Sequence, residues 1–125
     1  MPINIRFDKE KNALYVSMEG KATIDDFQAA IKHVAENSEF PPNIRTLCDM
    51  RKFDFKSMDM DSLKNIVSME KMNPKRKGAK IAYIAEKDYE YGMIRMYQTI
   101  ADELPKTIMV FRDYLEGERW LLSDD

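Results

Sequence analysis

The spacing of apolar positions changes as the chain is read. Ile3, Ile5 and Phe7 alternate with Asn4 and Arg6, and the segment Leu14-Tyr-Val-Ser-Met18 alternates in the same way. A period of two on both sides of the polar Asp8-Lys-Glu-Lys-Asn12 predicts an antiparallel hairpin, with Asn12 suited to a left-handed conformation. After Gly20 the period lengthens. Phe27, Ala30, Ile31 and Val34 fall at i, i+3, i+4 and i+7, the stripe of an amphipathic helix. Thr23 with Asp26 three residues on supplies a capping-box start, a carboxylate standing in for the usual Glu, and Asn37 with Pro41-Pro42 stops the helix.

Three short runs follow, Ile44–Asp49, Ala79–Ala85 and Thr107–Phe111. Each has the length of a buried strand, and the segments between them are long enough for crossover helices, so the strands are expected to be parallel. Ser57 is placed to cap a helix through Met72, ended by Asn73-Pro74, and Asp88 to cap one through Leu104, ended by Pro105. Tyr114–Leu122 reads as a last short helix. The order β-β-α-β-α-β-α-β-α predicts one α/β domain over residues 1–125, with an open, mainly parallel five-stranded sheet that begins with an antiparallel hairpin. Ligands of such sheets usually meet the loops at the carboxyl ends of the strands, here Gly20–Ala22, Met50–Lys56, Glu86–Lys87 and Arg112–Asp113.

Charge and cysteine content narrow the partners. Twenty basic residues against twenty-two acidic ones, a net charge of −2, create no field that attracts nucleic acid or an anionic membrane. The longest stretch without a charged residue, Asn12–Met18, holds seven residues, so no membrane span is expected, and the opening residues lack the pattern of a secretory leader. Cys48 is the only cysteine, which excludes an internal disulfide and favours a cytoplasmic location. It lies within a strand, as a small buried hydrophobe. With His33 the only histidine, a zinc site would need carboxylates almost alone, and no metal or cofactor is expected.

Ten methionines are the most unusual feature of the composition. On the helix after Ser57, steps of about 100° per residue put Met60, Leu63, Ile66 and Val67 toward the sheet. Met58, Met69 and Met72 then fall on the opposite side, either as an adaptable contact surface for a partner helix, a second subunit or a lipid tail, or as scattered half-packed residues. The next helix carries Tyr89, Met93, Met96, Tyr97, Ile100 and Leu104 on one broad face, to be read as core or as the wall of a hydrophobic pocket. Gly92 within it implies close packing or a hinge. Asp49, Arg51 and Asp54, with Asp88 and Asp113, gather at one edge of the sheet. They read as caps, turns and an Asp49–Arg51 network more readily than as an acid–base or magnesium site, although Arg51 and Arg112 are also able to hold an anion. Lys75-Arg-Lys77 with Lys80 reads as a solvated connection, His33 as a surface residue and Trp120 as a seal between the last helix and the sheet.

The hairpin, Gly20-Lys-Ala-Thr-Ile-Asp-Asp-Phe27, Ile44-Arg-Thr-Leu-Cys-Asp-Met-Arg51 and Val110-Phe-Arg-Asp113 with Glu116 and Trp120-Leu121 resemble the SpoIIAA-like family. These are small bacterial domains related to STAS domains and, more distantly, to CRAL-TRIO lipid-binding domains, and the resemblance covers essentially the whole chain. It implies a fold more than a task. STAS domains commonly act as non-catalytic protein-binding modules, some switched by phosphorylation of a serine just after the third strand, whereas CRAL-TRIO relatives carry hydrophobic ligands. The position matching that serine is Met58, and Ser57 takes the place of the aspartate before it, so Ser57 reads as a helix cap, with a phosphate there as the alternative. The function expected is non-catalytic binding: a protein-interaction module, with self-association to a dimer as one form of it, that uses Met58, Met69, Met72 and the loop from Arg51 to Ser57. The alternative is a carrier or sensor of a hydrophobic small molecule held between the second and third helices, near Tyr89, Met93 and Met96.

Overall fold

A computed structural model of the chain describes residues 2–41, 43–72 and 76–123. Strands β1 (Ile3–Asp8) and β2 (Ala13–Gly20) form the antiparallel hairpin, with Asn12 at φ 50° in its turn. Helix α1 (Ile24–Glu36) then leads to β3 (Arg45–Phe53), α2 (Met60–Lys71) to β4 (Lys80–Ile84), and α3 (Asp88–Ile100) to β5 (Thr107–Phe111); α4 (Tyr114–Leu122) follows. The sheet order is β1-β2-β3-β4-β5, and every pair after the first is parallel. Because the strands are added in one direction and parallel crossovers are right-handed, α1, α2 and α3 share one face of the sheet. The short α4 covers β3, β4 and β5 on the other.

Side chains alternate between the two layers. Val16, Met18, Cys48, Met50, Ile81, Ile108 and Val110 enter the core beneath α1–α3, while Ala13, Tyr15, Leu47, Ala82 and Ile84 meet Leu121 under α4. Trp120 packs against Phe111 with ring centroids 5.6 Å apart, which seals α4 to the sheet as expected. The capping box of α1 is formed in full: the Asp26 amide donates to Thr23 Oγ1 at 3.1 Å and the Thr23 amide to Asp26 Oδ2 at 2.8 Å.

Three local expectations are corrected. The chain makes a 3₁₀ turn over Phe55–Ser57, and α2 begins later than expected because Asp59, not Ser57, is its N-cap, accepting from the Ser62 amide at 2.8 Å. The Ser57 side chain, Asn73 and Pro74 lie outside the described residues. Asp88 does not cap α3; Lys87 holds that position without a side-chain bond, and α3 gives way to a 3₁₀ turn over Ala101–Glu103 before Leu104. Strand β3 continues past Asp49 to Phe53 through a register shift against β2, although the charged Arg51-Lys52 breaks the apolar run.

The two glycines inside helices differ in what surrounds them. A Cβ at Gly117 of α4 would lie 2.4 Å from Ile84 Cδ1 and 3.2 Å from Phe111 Cδ2, so this glycine lets α4 settle closely on the sheet. Nothing lies within 4 Å of the corresponding point at Gly92 of α3, and close packing does not explain that residue. Gly117→Ala is therefore expected to lower stability by ~1–3 kcal/mol through overpacking, and Gly92→Ala to raise it by ~0.5–1 kcal/mol. Urea unfolding midpoints with unchanged slopes check both signs.

Candidate functional site

The two faces of the sheet are covered differently. On one, α4 lies close over Gly117; on the other, α1 and α2 approach each other more closely than they approach any strand. Their inward side chains span the gap incompletely, since the inner face of α1 carries the small Ala30 between Phe27, Ile31 and Val34. A cavity of about 140 Å³ remains between the sheet and α1, α2 and α3. Sheet residues Ile5, Val16, Met18, Cys48 and Met50 form its floor, and Leu63, Ile66, Met93 and Ile94 contribute to its roof. Phe53, Phe55 and Met58 close the end near the carboxyl termini of the strands, with Phe53 and Phe55 edge to face at 4.7 Å.

The opposite end is polar. It lies at the amino-terminal edge of the parallel strands, where Thr46 of β3, Arg76 just before β4 and Lys106 just before β5 meet Glu70 near the end of α2. Glu70 pairs with Lys106, and the two side chains are only 8% and 7% exposed. Glu70 also accepts from the Tyr97 hydroxyl through its other oxygen, and the Tyr83 hydroxyl lies 3.5 Å from that of Tyr97. Arg76 Nη2 donates to Thr46 Oγ1 at 2.8 Å and to the Ile44 carbonyl at 3.1 Å. Burial raises both phenols well above their ordinary range and lowers the Arg76 guanidinium. Burial also pushes the Cys48 thiol on the cavity floor up to about 12. The cavity is thus an apolar chamber with neutral hydroxyls and thiol along it and charge gathered at one end.

Of the residues expected to bind a partner or ligand, the structure brings Met58 and Met93 to the cavity, together with Tyr97 of the expected pocket wall. Met58 is buried, which corrects its placement on the outward side of a helix: it precedes α2, and the chain turns it inward behind Phe55. Met69 is partly buried against the core, and Met72 is 86% exposed. The outward methionine stripe is therefore not formed. Met60, expected to face the sheet, is exposed in the first turn of α2. Tyr89 and Met96 are exposed, so the broad face predicted for α3 divides: Met93, Ile94 and Tyr97 turn inward and these two do not.

The other edge of the sheet holds paired charges. Arg51 Nε and Nη2 each donate to Asp49 at 2.8 Å, and the guanidinium stacks 5.0 Å from the Tyr114 ring centre. Burial alone would raise the Asp49 carboxyl, but the Arg51 hydrogen bonds outweigh it and hold the group below its usual range. Arg112 donates to Asp88 at 2.7 Å and lies over Tyr91. Among the described residues no three of His, Cys, Asp and Glu come together as a metal site. No helix among them is long and apolar enough to cross a membrane.

Sequence reasoning missed the polar end of the cavity. Arg76 and Lys80 are not part of a solvated connection: Arg76 reaches inward, and Lys80 Nζ donates to Ser123 Oγ at 3.0 Å while lying 4.3 Å from the Trp120 ring centre. Lys75 lies outside the described residues. One signal was available, because Glu70 falls in phase with Leu63, Ile66 and Val67 and so places a carboxylate on the buried stripe of α2. Tyr83 at the centre of an apolar strand was another.

Two measurements probe this arrangement. Lys106→Met leaves Glu70 buried without its cation and should cost ~3–5 kcal/mol, whereas Lys106→Met combined with Glu70→Met should restore most of that loss; comparison of urea midpoints separates the two. The Cys48 thiol, at about 12, should react with an aromatic disulfide reagent at pH 8 far more slowly than in the unfolded chain, with about a thousandfold less thiolate as the chemical reason.

No protein-family profile matches the chain, and no curated protein matches it. Among solved structures it is similar to the crystal structure, at 2.25 Å resolution, of an uncharacterised protein from the DUF3478 family with a SpoIIAA-like fold, from Shewanella loihica PV-4. The two share 18% sequence identity and superpose with a TM-score of 0.65 over 95% of this chain and 91% of the other. The chain therefore has a SpoIIAA-like fold, the architecture that its sequence resembles.

Proposed function

We propose that this chain is a non-catalytic binding module that holds a small hydrophobic molecule between its sheet and helices α1–α3. The observation that carries this reading is the cavity of about 140 Å³ with an almost wholly apolar lining. An engineered apolar cavity of about 150 Å³ takes up benzene, so a space of this size with a mostly apolar lining suits a guest of one ring. The choice between the two functions expected from the sequence turns on the methionines. A contact surface built on Met58, Met69 and Met72 needs them on one outward face, whereas Met58 and Met93 on the cavity wall suit the carrier or sensor reading, since flexible thioethers adjust to the shape of a guest. Cys48, free and buried, is compatible with residence in the reducing cytoplasm.

The methionine methyl groups provide the test. Titration of the protein with 2-phenylethanol, a neutral probe of one ring and a short arm, should shift the Met18, Met50, Met58 and Met93 methyl resonances, which line the cavity. The exposed Met72 and Met109 should stay in place. Saturation at about 100 times the dissociation constant should add ~2.7 kcal/mol of stability. Unmoved cavity methyls, or equal shifts at all methionines, would refute the reading.

A further inference from the structure

The polar end of the cavity is also the wall of a second space. A crevice of about 120 Å³ lies on its far side, and Glu70, Arg76 and Lys106 line both. The outer crevice adds Lys71, Lys77 and Glu103, so among the described residues its lining sets four cations against two carboxylates. Of the three shared charges, Glu70 and Lys106 neutralise each other. Among the described residues Arg76 has no such counterpart. Its Nη2 bonds two uncharged oxygens, those of Thr46 and Ile44, and its Nε is buried with no hydrogen-bond partner. A buried donor left without an acceptor is destabilising, and more so when the group is charged. An unmatched cation at the end of an apolar chamber is therefore an incomplete interaction, and its completion requires an anion.

Resting on the reading of the cavity as a ligand site, we propose that the ligand is a small monocarboxylate. Its apolar body lies along Phe27, Met58 and Met93, and its carboxylate accepts hydrogen bonds from the Arg76 guanidinium. The charge count selects the head. In the lining of the cavity itself Arg76 and Lys106 stand against Glu70, so one cation is unmatched and suits one negative charge, whereas a neutral head would leave Arg76 as it is. The bonds of Nη2 to Thr46 and Ile44 hold the guanidinium in place, and its buried Nε, which has no partner, is left to donate to a carboxylate oxygen. Volume limits the body to one aromatic ring or a short alkyl chain, well below a long-chain lipid.

The test compares phenylacetate with 2-phenylethanol, which differ in the head alone, through the Met58 and Met93 methyl resonances at pH 7. In the wild-type protein phenylacetate should bind at least about tenfold more tightly, the effect of one hydrogen bond to a charged group. Arg76→Gln should abolish that preference, so that the two probes bind about equally. Arg76→Lys, which keeps the charge and loses the Nε donor, should retain part of the preference and serves if the first variant does not fold. If the wild-type protein binds the two probes equally, the carboxylate proposal fails and the cavity reading stands. If neither probe moves the methyls, both fail. A preference that survives Arg76→Gln overturns the role given to Arg76.

Discussion

Handedness organises this molecule. Parallel strands joined by helices cross over in the right-handed sense, and here each new strand is added at the same edge, from β2 through β5. The three crossover helices must then lie on one face of the sheet, and only α4, after the last strand, is free to cover the other. The asymmetry of cover follows. With one short helix, the α4 face is sealed by close approach, for which Gly117 removes the side chain that would collide with Ile84. The crossover face is spanned by a layer of larger side chains, and its layer meets the sheet less completely. A cavity on that face is the consequence of covering a sheet with helices that lean on one another.

The same topology gathers the polar groups. Helix α2 runs opposite to the strands, so its last turn, with Glu70, comes to the edge where β3, β4 and β5 begin. Chain segments entering those strands bring Thr46, Arg76 and Lys106 to the same place. Buried ion pairs contribute little net stability, because desolvation offsets their attraction. The Glu70–Lys106 pair is held by further bonding, with the Tyr97 hydroxyl on the second carboxylate oxygen. Arg76 lacks an equivalent, and this contrast between a matched pair and an unmatched neighbour is what gives the chamber a chemically distinct end. Apolar walls and a charged end together describe a guest with two parts.

The Asp49–Arg51 pair at the opposite edge behaves differently. Its members are neighbours in one strand, two residues apart, and satisfy each other with two bonds. Arg112 and Asp88 are likewise matched. Arginines at the usual binding edge of such a sheet are thus already occupied, and the reactive imbalance lies at the other edge.

The features legible in the amino-acid order were local. The hairpin, the capping box of Thr23 and Asp26, strand β5, helix α4 and the parallel arrangement were legible because each depends on periodicity, caps and connection lengths within a few residues. The start of α2 was misplaced where two capping residues, Ser57 and Asp59, lie close together and only the intervening 3₁₀ turn selects between them. That two-residue error reversed the reading of Met58, since a residue outside the helix does not follow its phase. The polar end of the cavity was decided by tertiary structure alone. Glu70 stands 27 residues from Tyr97 and 36 from Lys106, and Arg76 stands 30 from Thr46. No local pattern records such pairings, because a buried charge is tolerated only through partners that the fold brings to it.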